Sequence, residues 1–460
     1  MTRPSVAEVL RGLPEPVQQL ARALIDAADA LGMCVYLVGG PVRDLLLGRS
    51  LRDLDFLVES IPGENAESLA RRAAADGCAV TTHDRFGTVT LERNGAAVDL
   101  AMARMESYAH DGALPTVSVG TLVDDLRRRD FAVNALALPL TREARARYPA
   151  IIDLDHGLDD LANRRLRVLH ARSFHDDPTR ALRAARLAAR LGFTLSRSSR
   201  SALQDTLRDG AFGHVSGDRL RREIVKLFDD AGLGQDPVRA LRLLDDWHVL
   251  GALEPGLELP DPARVALRRM GRCVGTPPWP TARWRAWITG AGIWLAPLAP
   301  QLRRRVVKRF AIRGSLAQCI VGMGKLGDRV LRALAKARGR GAIDAILQGL
   351  PEEELHAIHA WASPAVRNRV VRFAAEDRQR RAPVNGADLT ALGLSGPDVG
   401  RALARIRVAF LDGAVRSRDE ALILAGELGR QGRSRAPGNP GRAQAAATPV
   451  GSPAEPRRES

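Results

Sequence analysis

The run Tyr36-Leu-Val-Gly-Gly-Pro-Val-Arg-Asp-Leu-Leu-Leu-Gly-Arg-Ser-Leu-Arg-Asp-Leu-Asp-Phe-Leu-Val58 constrains this chain more than any other stretch. Val35 to Val38 is a short apolar run that reads as a buried strand, and Gly39-Gly40 lets backbone N–H groups approach a phosphate without side chains in the way. Pro41 suits the first turn of a helix, Val42 to Leu47 supply that helix, and Gly48 suits the position just past its end. A helix N-terminus behind a glycine turn is an anion site, and Arg43 adds a charged donor to it. Leu54 to Val58 reads as the next strand. Residues i and i+2 of a strand share a face, so Asp53 and Asp55 point one way while Leu54 and Phe56 point the other. Two hard carboxylates together suit Mg²⁺, which takes oxygen ligands and is often shared with substrate phosphates. A third acid, Asp99, lies between apolar neighbours in the strand pattern Gly95-Ala-Ala-Val-Asp-Leu-Ala101, where a lone carboxylate needs a reason. Together these features read as a device for a nucleoside triphosphate and its metals.

Composition agrees with a polyanionic partner. Lys and Arg number 69 against 53 Asp and Glu, a formal charge of +16 over 460 residues, which favours phosphate contacts and counterion release. Arg far outnumbers Lys throughout, so charge alone does not say which nucleic acid is bound. The length suits two to four domains. Cys34, Cys78, Cys273 and Cys319 are too scattered for a zinc site or a disulfide framework. No apolar segment has the length of a membrane span or of a signal-peptide core, so a soluble, cytoplasmic protein without membrane association is expected.

Three further motifs follow in order. They are Leu126-Arg-Arg-Arg-Asp-Phe-Ala-Val-Asn-Ala-Leu-Ala137, Ile152-Asp-Leu-Asp-His-Gly-Leu-Asp-Asp-Leu161, and Asp176-Asp-Pro-Thr-Arg-Ala-Leu-Arg-Ala-Ala-Arg-Leu-Ala-Ala-Arg-Leu-Gly-Phe193. With the glycine turn they cover roughly residues 31 to 195, and the set resembles the class II tRNA nucleotidyltransferase and bacterial poly(A) polymerase family of the polymerase-β-like superfamily. The resemblance implies an α+β fold: a nucleotidyltransferase head with a small mixed sheet and helices, followed by an all-α neck, body and tail. The expected divisions are residues 1–148 (head), 149–232 (neck, base selection and RNA binding), 233–430 (body and tail, tRNA binding) and 431–460 (a disordered basic tail).

The resemblance also implies roles. Asp53 and Asp55 would hold the metal ions, with Asp99 as third carboxylate acting on the primer hydroxyl. Gly39, Gly40 and Arg43 would contact the incoming nucleotide, as would Arg129 with Arg128 as its rival, while Asp130 and Asn134 shape the pocket. Ala132 stands where the family usually has threonine. Asp177 and Arg180 would read the base: a carboxylate accepts from the exocyclic amino group of C or A, and a guanidinium donates to ring nitrogen or carbonyl. Asp177, Arg180, Arg183 and Arg186 recur every third residue, a helical stripe opposite Leu182, Ala185 and Ala189. Arg183 and Arg186 would reach the nucleotide, and Asp176 would orient Arg180.

The implied activity is addition of CCA to the 3′ end of tRNA from CTP and ATP. CC-only addition, A-only addition and poly(A) synthesis share the same motifs, and the loop at 102–120, with Arg104 and Glu106, falls where such specificities differ. Readings of other classes are a non-catalytic RNA-binding protein on a retired head and a small-molecule nucleotidyltransferase. The rest of the chain is less specific. Val6 to Leu31 reads as helix broken at Pro14 and Pro16, Ser201 to Phe228 as the neck, and Val238–Trp247, Ala282–Ala296, Gln301–Phe310, Asp328–Ala337 and Ala365–Phe373 as later helices. Arg303-Arg-Arg-Val-Val-Lys-Arg309 is either an RNA contact run or a solvated face. Trp279, Trp284, Trp287 and Trp294 suit packing rather than base stacking. His83, His110, His156 and His175 lack metal-ligand spacing and read as surface or structural histidines.

Overall fold

In the computed structural model the described residues are 4–51, 54–75, 77–83, 87–107, 116–279 and 285–434, with side chains up to 430. Helices α1 (Val6–Leu10) and α2 (Glu15–Leu31) precede strand β1 (Val35–Val38), and α3 (Gly40–Leu46) leads to β2 (Asp55–Val58). After α4 (Ala66–Ala73) come β3 (Ala79–His83), β4 (Thr88–Arg93) and β5 (Ala96–Met102), then the hairpin strands β6 (Arg104–Ser107) and β7 (Thr116–Val119). Helix α5 (Leu122–Arg127) is followed by β8 (Leu136–Pro139), α6 (Arg142–Arg147) and β9 (Ile152–Asp153). Seven of these strands form a mixed sheet in the order β3-β4-β5-β2-β1-β8-β9. Its ladders are antiparallel except for β2 against β5.

Strand alternation divides the apolar residues between the two faces of this sheet. Leu37, Phe56, Val58, Val98 and Leu100 pack with Leu20 and Leu24 of α2 and Leu69 of α4 in one cluster. Tyr36, Val38, Leu57 and Ala137 pack with Leu122 and Leu126 of α5 in the other. Each fully buried side chain of this size contributes about 1.5–3 kcal/mol relative to exposure. The faces are therefore fixed strongly. On β5 the buried Ala96, Val98 and Leu100 alternate with the exposed Ala97 and Asp99, so the acid is forced outward by its apolar neighbours.

The lead-in helix is broken only once. Pro16 sits in the first turn of α2, where its missing N–H costs nothing, and the break falls at 11–14. Strand β2 begins at Asp55 rather than Leu54.

Beyond the sheet the described chain is mostly helical. Helices α7 (Gly157–Ala162), α8 (Ser173–Asp176), α9 (Thr179–Leu191), α10 (Arg197–Arg208) and α11 (Gly217–Asp229) come first, with α11 packed on α9. The five expected later helices are present as Pro237–Asp246, Ala286–Leu295, Pro300–Arg309, the second half of Gly314–Lys336, and Pro364–Ala375. Asp261–Cys273, Gly339–Leu347, Glu352–Trp361, Pro397–Leu411 and Arg418–Ser434 are additional. The last of these carries helical backbone past residue 431, into the stretch expected to be disordered, and residues 435–460 lie outside the described residues.

Trp279 and Trp294 are core residues, and the Trp294 indole donates to Glu258 O at 2.8 Å. Trp287 packs at the core edge, and Trp284 lies outside the described residues. Among the described residues no helix is long and apolar enough to cross a membrane.

The chain divides into two compact units. One comprises the chain up to Arg332 with Gly349–Asn368, and the other Ala333–Gln348 with the chain from Arg369 onward. The second has its own core around Leu389, Ile406, Ala421 and Ala425. Within it Arg407 forks onto the buried Asp344 with contacts of 2.6 and 2.7 Å. The candidate site lies wholly in the first unit.

Candidate active site

The parallel ladder between β2 and β5 makes Asp55 and Asp99 register partners. Neighbouring strands lie about 4.8 Å apart, so two carboxylates at such positions repel unless a cation lies between them. Both are exposed and line one cavity of about 480 Å³. Thr90, opposite Asp99 on β4, donates its hydroxyl to Asp99 Oδ1 at 2.6 Å. Arg104 pairs with Glu106 at 3.0 Å. This donor set fits a divalent cation: hard oxygens, adjacent, on rigid strands and open to solvent. Asp53 lies outside the described residues, and among the described ones no group of three potential ligands gathers.

The glycine turn forms as the sequence requires. Gly39 has φ +76° and ends β1, Pro41 sits in the first turn of α3, and Gly48 follows the helix with φ +66°. Gly39 N–H donates to Leu136 O at 3.1 Å and is spent within the fold. A Cβ on Gly39 would lie 2.6 Å from Arg129 Nη1, so this glycine makes room for a guanidinium. Gly40 lines the cavity with Arg43. Arg43 is buried, donates to Asp44 at 2.9 Å and to Asn134 Oδ1, and burial lowers its pKa. Asn134 is held in turn by Asp130 at 3.0 Å.

Arg128 and Arg129 share one fully buried carboxylate, Asp125 of α5. Oδ2 takes Arg129 at 2.7 and 3.0 Å, and Oδ1 takes Arg128 Nε at 2.9 Å, while Arg128 Nη1 also reaches Glu106 at 3.0 Å. Charge-assisted forks of this kind fix the guanidinium planes.

Asp177, expected as the first residue of a helical stripe, instead precedes α9. It caps α8 in extended backbone, and Pro178 intervenes because proline disfavours helix at the residue before it. From there its buried carboxylate faces the stripe. Oδ1 accepts from Thr179 N at 3.0 Å and Arg219 Nη2 at 2.7 Å, and Oδ2 accepts from Arg183 Nη2. Burial alone would raise its pKa, but Arg183 and Arg219 hold it below the ordinary carboxylate value. Arg180 is buried and donates to Arg128 O at 3.0 Å, and its Nε and Nη1 have no hydrogen-bond partner among the described residues. Such groups are costly unless a ligand accepts from them. Asp176 turns to His170 at 3.7 Å rather than to Arg180. Arg186 is engaged by Glu223 and Asp230, each at 3.0 Å. Leu182 and Ala185 are buried, and Ala189 is half-buried.

Three cavities join these parts. The first, with Asp55, Asp99 and Arg43, shares Arg190 and Asp230 with a second of about 150 Å³, which holds Asn134 and Arg186. That one shares Asp130 and Arg183 with a third of about 360 Å³, containing Arg104, Arg128, Arg129, Asp177, Arg180 and Arg219. The three cavities thus adjoin in series between the paired carboxylates and the buried Arg180.

Against known proteins, the profile of the Poly A polymerase head domain matches residues 35–167. A CC-adding tRNA nucleotidyltransferase of Deinococcus radiodurans is 35% identical over 84% of this chain and 86% of its own length. The chain belongs to the tRNA nucleotidyltransferase family. An A-adding family member of Geobacter sulfurreducens is 32% identical over 91% of this chain, which spans about half (48%) of that protein. Among solved structures, the Thermotoga maritima CCA-adding enzyme complexed with tRNA superposes with a TM-score of 0.69 at 26% identity, covering 94% of this chain and 99% of that one. Nucleotidyltransferases of this type depend in general on a divalent metal. The family fold, a mixed-sheet head with a helical remainder, is the one observed.

Sequence reasoning missed Asp125, Thr90, Arg190 and Arg219. Asp124-Asp125 just before three arginines was the one local signal available. The run 303–309 is largely engaged by the fold: Arg303 is buried, Arg305 pairs with Glu254 at 2.6 Å, and Arg309 donates to Phe212 O and Val215 O. His175 is structural, held by Asp209 and Thr206, while His110 lies outside the described residues.

Proposed function

We propose that this chain completes the 3′ CCA end of tRNA in the cytoplasm, using CTP and ATP with Mg²⁺. The observation that carries this is the series of adjoining cavities with paired carboxylates at one end and the buried Arg180 and Asp177 at the other. Asp55 and Asp99, with Asp53, would hold the metal, which when bound would neutralise the triphosphate and activate the attacking 3′ hydroxyl. Arg43 and Arg190 place positive charge along the phosphates, and Gly40 lets them approach the helix N-terminus. Arg180 offers Nε and Nη1 donors to a ring nitrogen or carbonyl, and Asp177 accepts from the exocyclic amino group that C and A have and U and G lack at that edge. Arg128, Arg129 and Arg183 wall the base pocket, with Arg186 behind them. Residues 1–148 would act as head, 149–232 as neck, 233–430 as the tRNA-holding body and tail, and 431–460 as a basic tail.

CC-only and A-only addition are the narrower alternatives, each the activity named for one of the relatives described above. Incorporation on tRNA transcripts ending at the discriminator base, at C and at CC, with CTP, ATP or both, separates the readings. A product that stops at CCA supports the proposal, and CC-only, A-only or unlimited A addition assigns the corresponding specialist. No incorporation would sink the enzymatic reading.

A further inference from the structure

We propose that Arg219, on α11, is a positioning residue that sets nucleotide choice by fixing the carboxylate of Asp177. This rests on the reading of Asp177 and Arg180 as base readers. The two readers are prepared differently. Arg180 presents two buried N–H donors with no partner among the described residues. Asp177 instead has Oδ1 taken by Thr179 N, the Thr179 hydroxyl and Arg219. Its orientation is therefore set before a base arrives.

Arg219 is well placed to hold that orientation, because the start of its helix is clamped. Ser216 caps it. Gly217 passes so close to the helix Pro300–Arg309 that a Cβ would lie 2.6 Å from Arg309 O. Arg309 in turn donates to Val215 O at 2.9 Å and to Phe212 O at 2.7 Å. The guanidinium that steers Asp177 thus lies 42 residues from it in sequence and comes from a backbone fixed by a helix more remote still.

A fixed carboxylate rejects U and G by facing their carbonyl oxygens, acceptor against acceptor. A carboxylate free to rotate turns away, and the rejection is lost. Losing Arg219 should therefore erode discrimination and not merely slow every reaction.

The test compares full-length wild type, R219A, R219Q and R219K on a tRNA transcript, measuring kcat and KM for CTP, ATP, UTP and GTP together with thermal melting. The expected result is that R219A lowers kcat/KM for CTP and ATP by about tenfold or more while UTP and GTP change far less, and that R219K recovers part of the selectivity. If all four nucleotides fall by one common factor, or none changes, the proposal is overturned. R219Q carries the comparison should R219A fail to fold. Wild type that incorporates nothing would defeat the underlying reading of the site, a result distinct from failure of the Arg219 assignment.

Discussion

The two ends of this series of cavities are built on opposite principles. At one end, Asp55 and Asp99 are exposed acids on adjacent strands, placed by the register of one ladder, with a hydroxyl from Thr90 on Asp99. At the other end, Asp177 and Arg180 are buried, and Asp177 lies among guanidinium groups from α9 and α11. Exposed acids can exchange a cation at little cost to the fold, whereas a buried, charge-paired network holds its side chains in one geometry. Chemistry at one end and selection at the other should therefore respond differently to mutation.

The sharpest way to break this contrast is Asp55→Asn. Nucleotide incorporation should fall by at least about a thousandfold, or ~4 kcal/mol of transition-state stabilisation, with the melting temperature nearly unchanged. A large loss of stability would mean the acid is structural. Arg180→Ala comes next: a fall in kcat/KM of about a hundredfold is expected for CTP and ATP in steady-state kinetics, because the base loses its buried donors. Gly39→Ala lies between the two ends. Its φ of +76° and the 2.6 Å approach to Arg129 should cost about 1–3 kcal/mol in chemical denaturation and raise KM as Arg129 is displaced.

The smallest effect is one of pH. The Asp177 carboxyl is held low in the folded chain, so its pairing stabilises the fold above the ordinary carboxylate range and is lost as pH falls through the lower folded value. The stability difference between wild type and Asp177→Asn should be flat from neutral pH to about 5 and shrink below about 4. A difference that grows on acidification would contradict the pairing described here.

Legibility in the sequence followed the same divide. Gly39, Pro41, Gly48 and Asp55 were readable because a turn, a helix start and a strand face are decided within a few neighbours, and the helical spacing of the last motif located α9. Arg219 was not readable, since its partner lies 42 residues away and its sequence surroundings are those of any amphipathic helix. Asp125 and Thr90 escaped for a related reason: one acts through its complete burial and the other through a cross-strand pairing, and neither property is local. The placement of Asp177 outside α9 was a boundary effect of Pro178.

The parallel ladder between β2 and β5 carries one more consequence. Slipping it by a single residue would put Val98 or Leu100 opposite Asp55 and drive Asp99 into the apolar layer beneath the sheet. The hydrophobic layer thereby acts as an assembly check on the chemistry: a chain that has mispaired its strands is at once unstable and unable to present both acids.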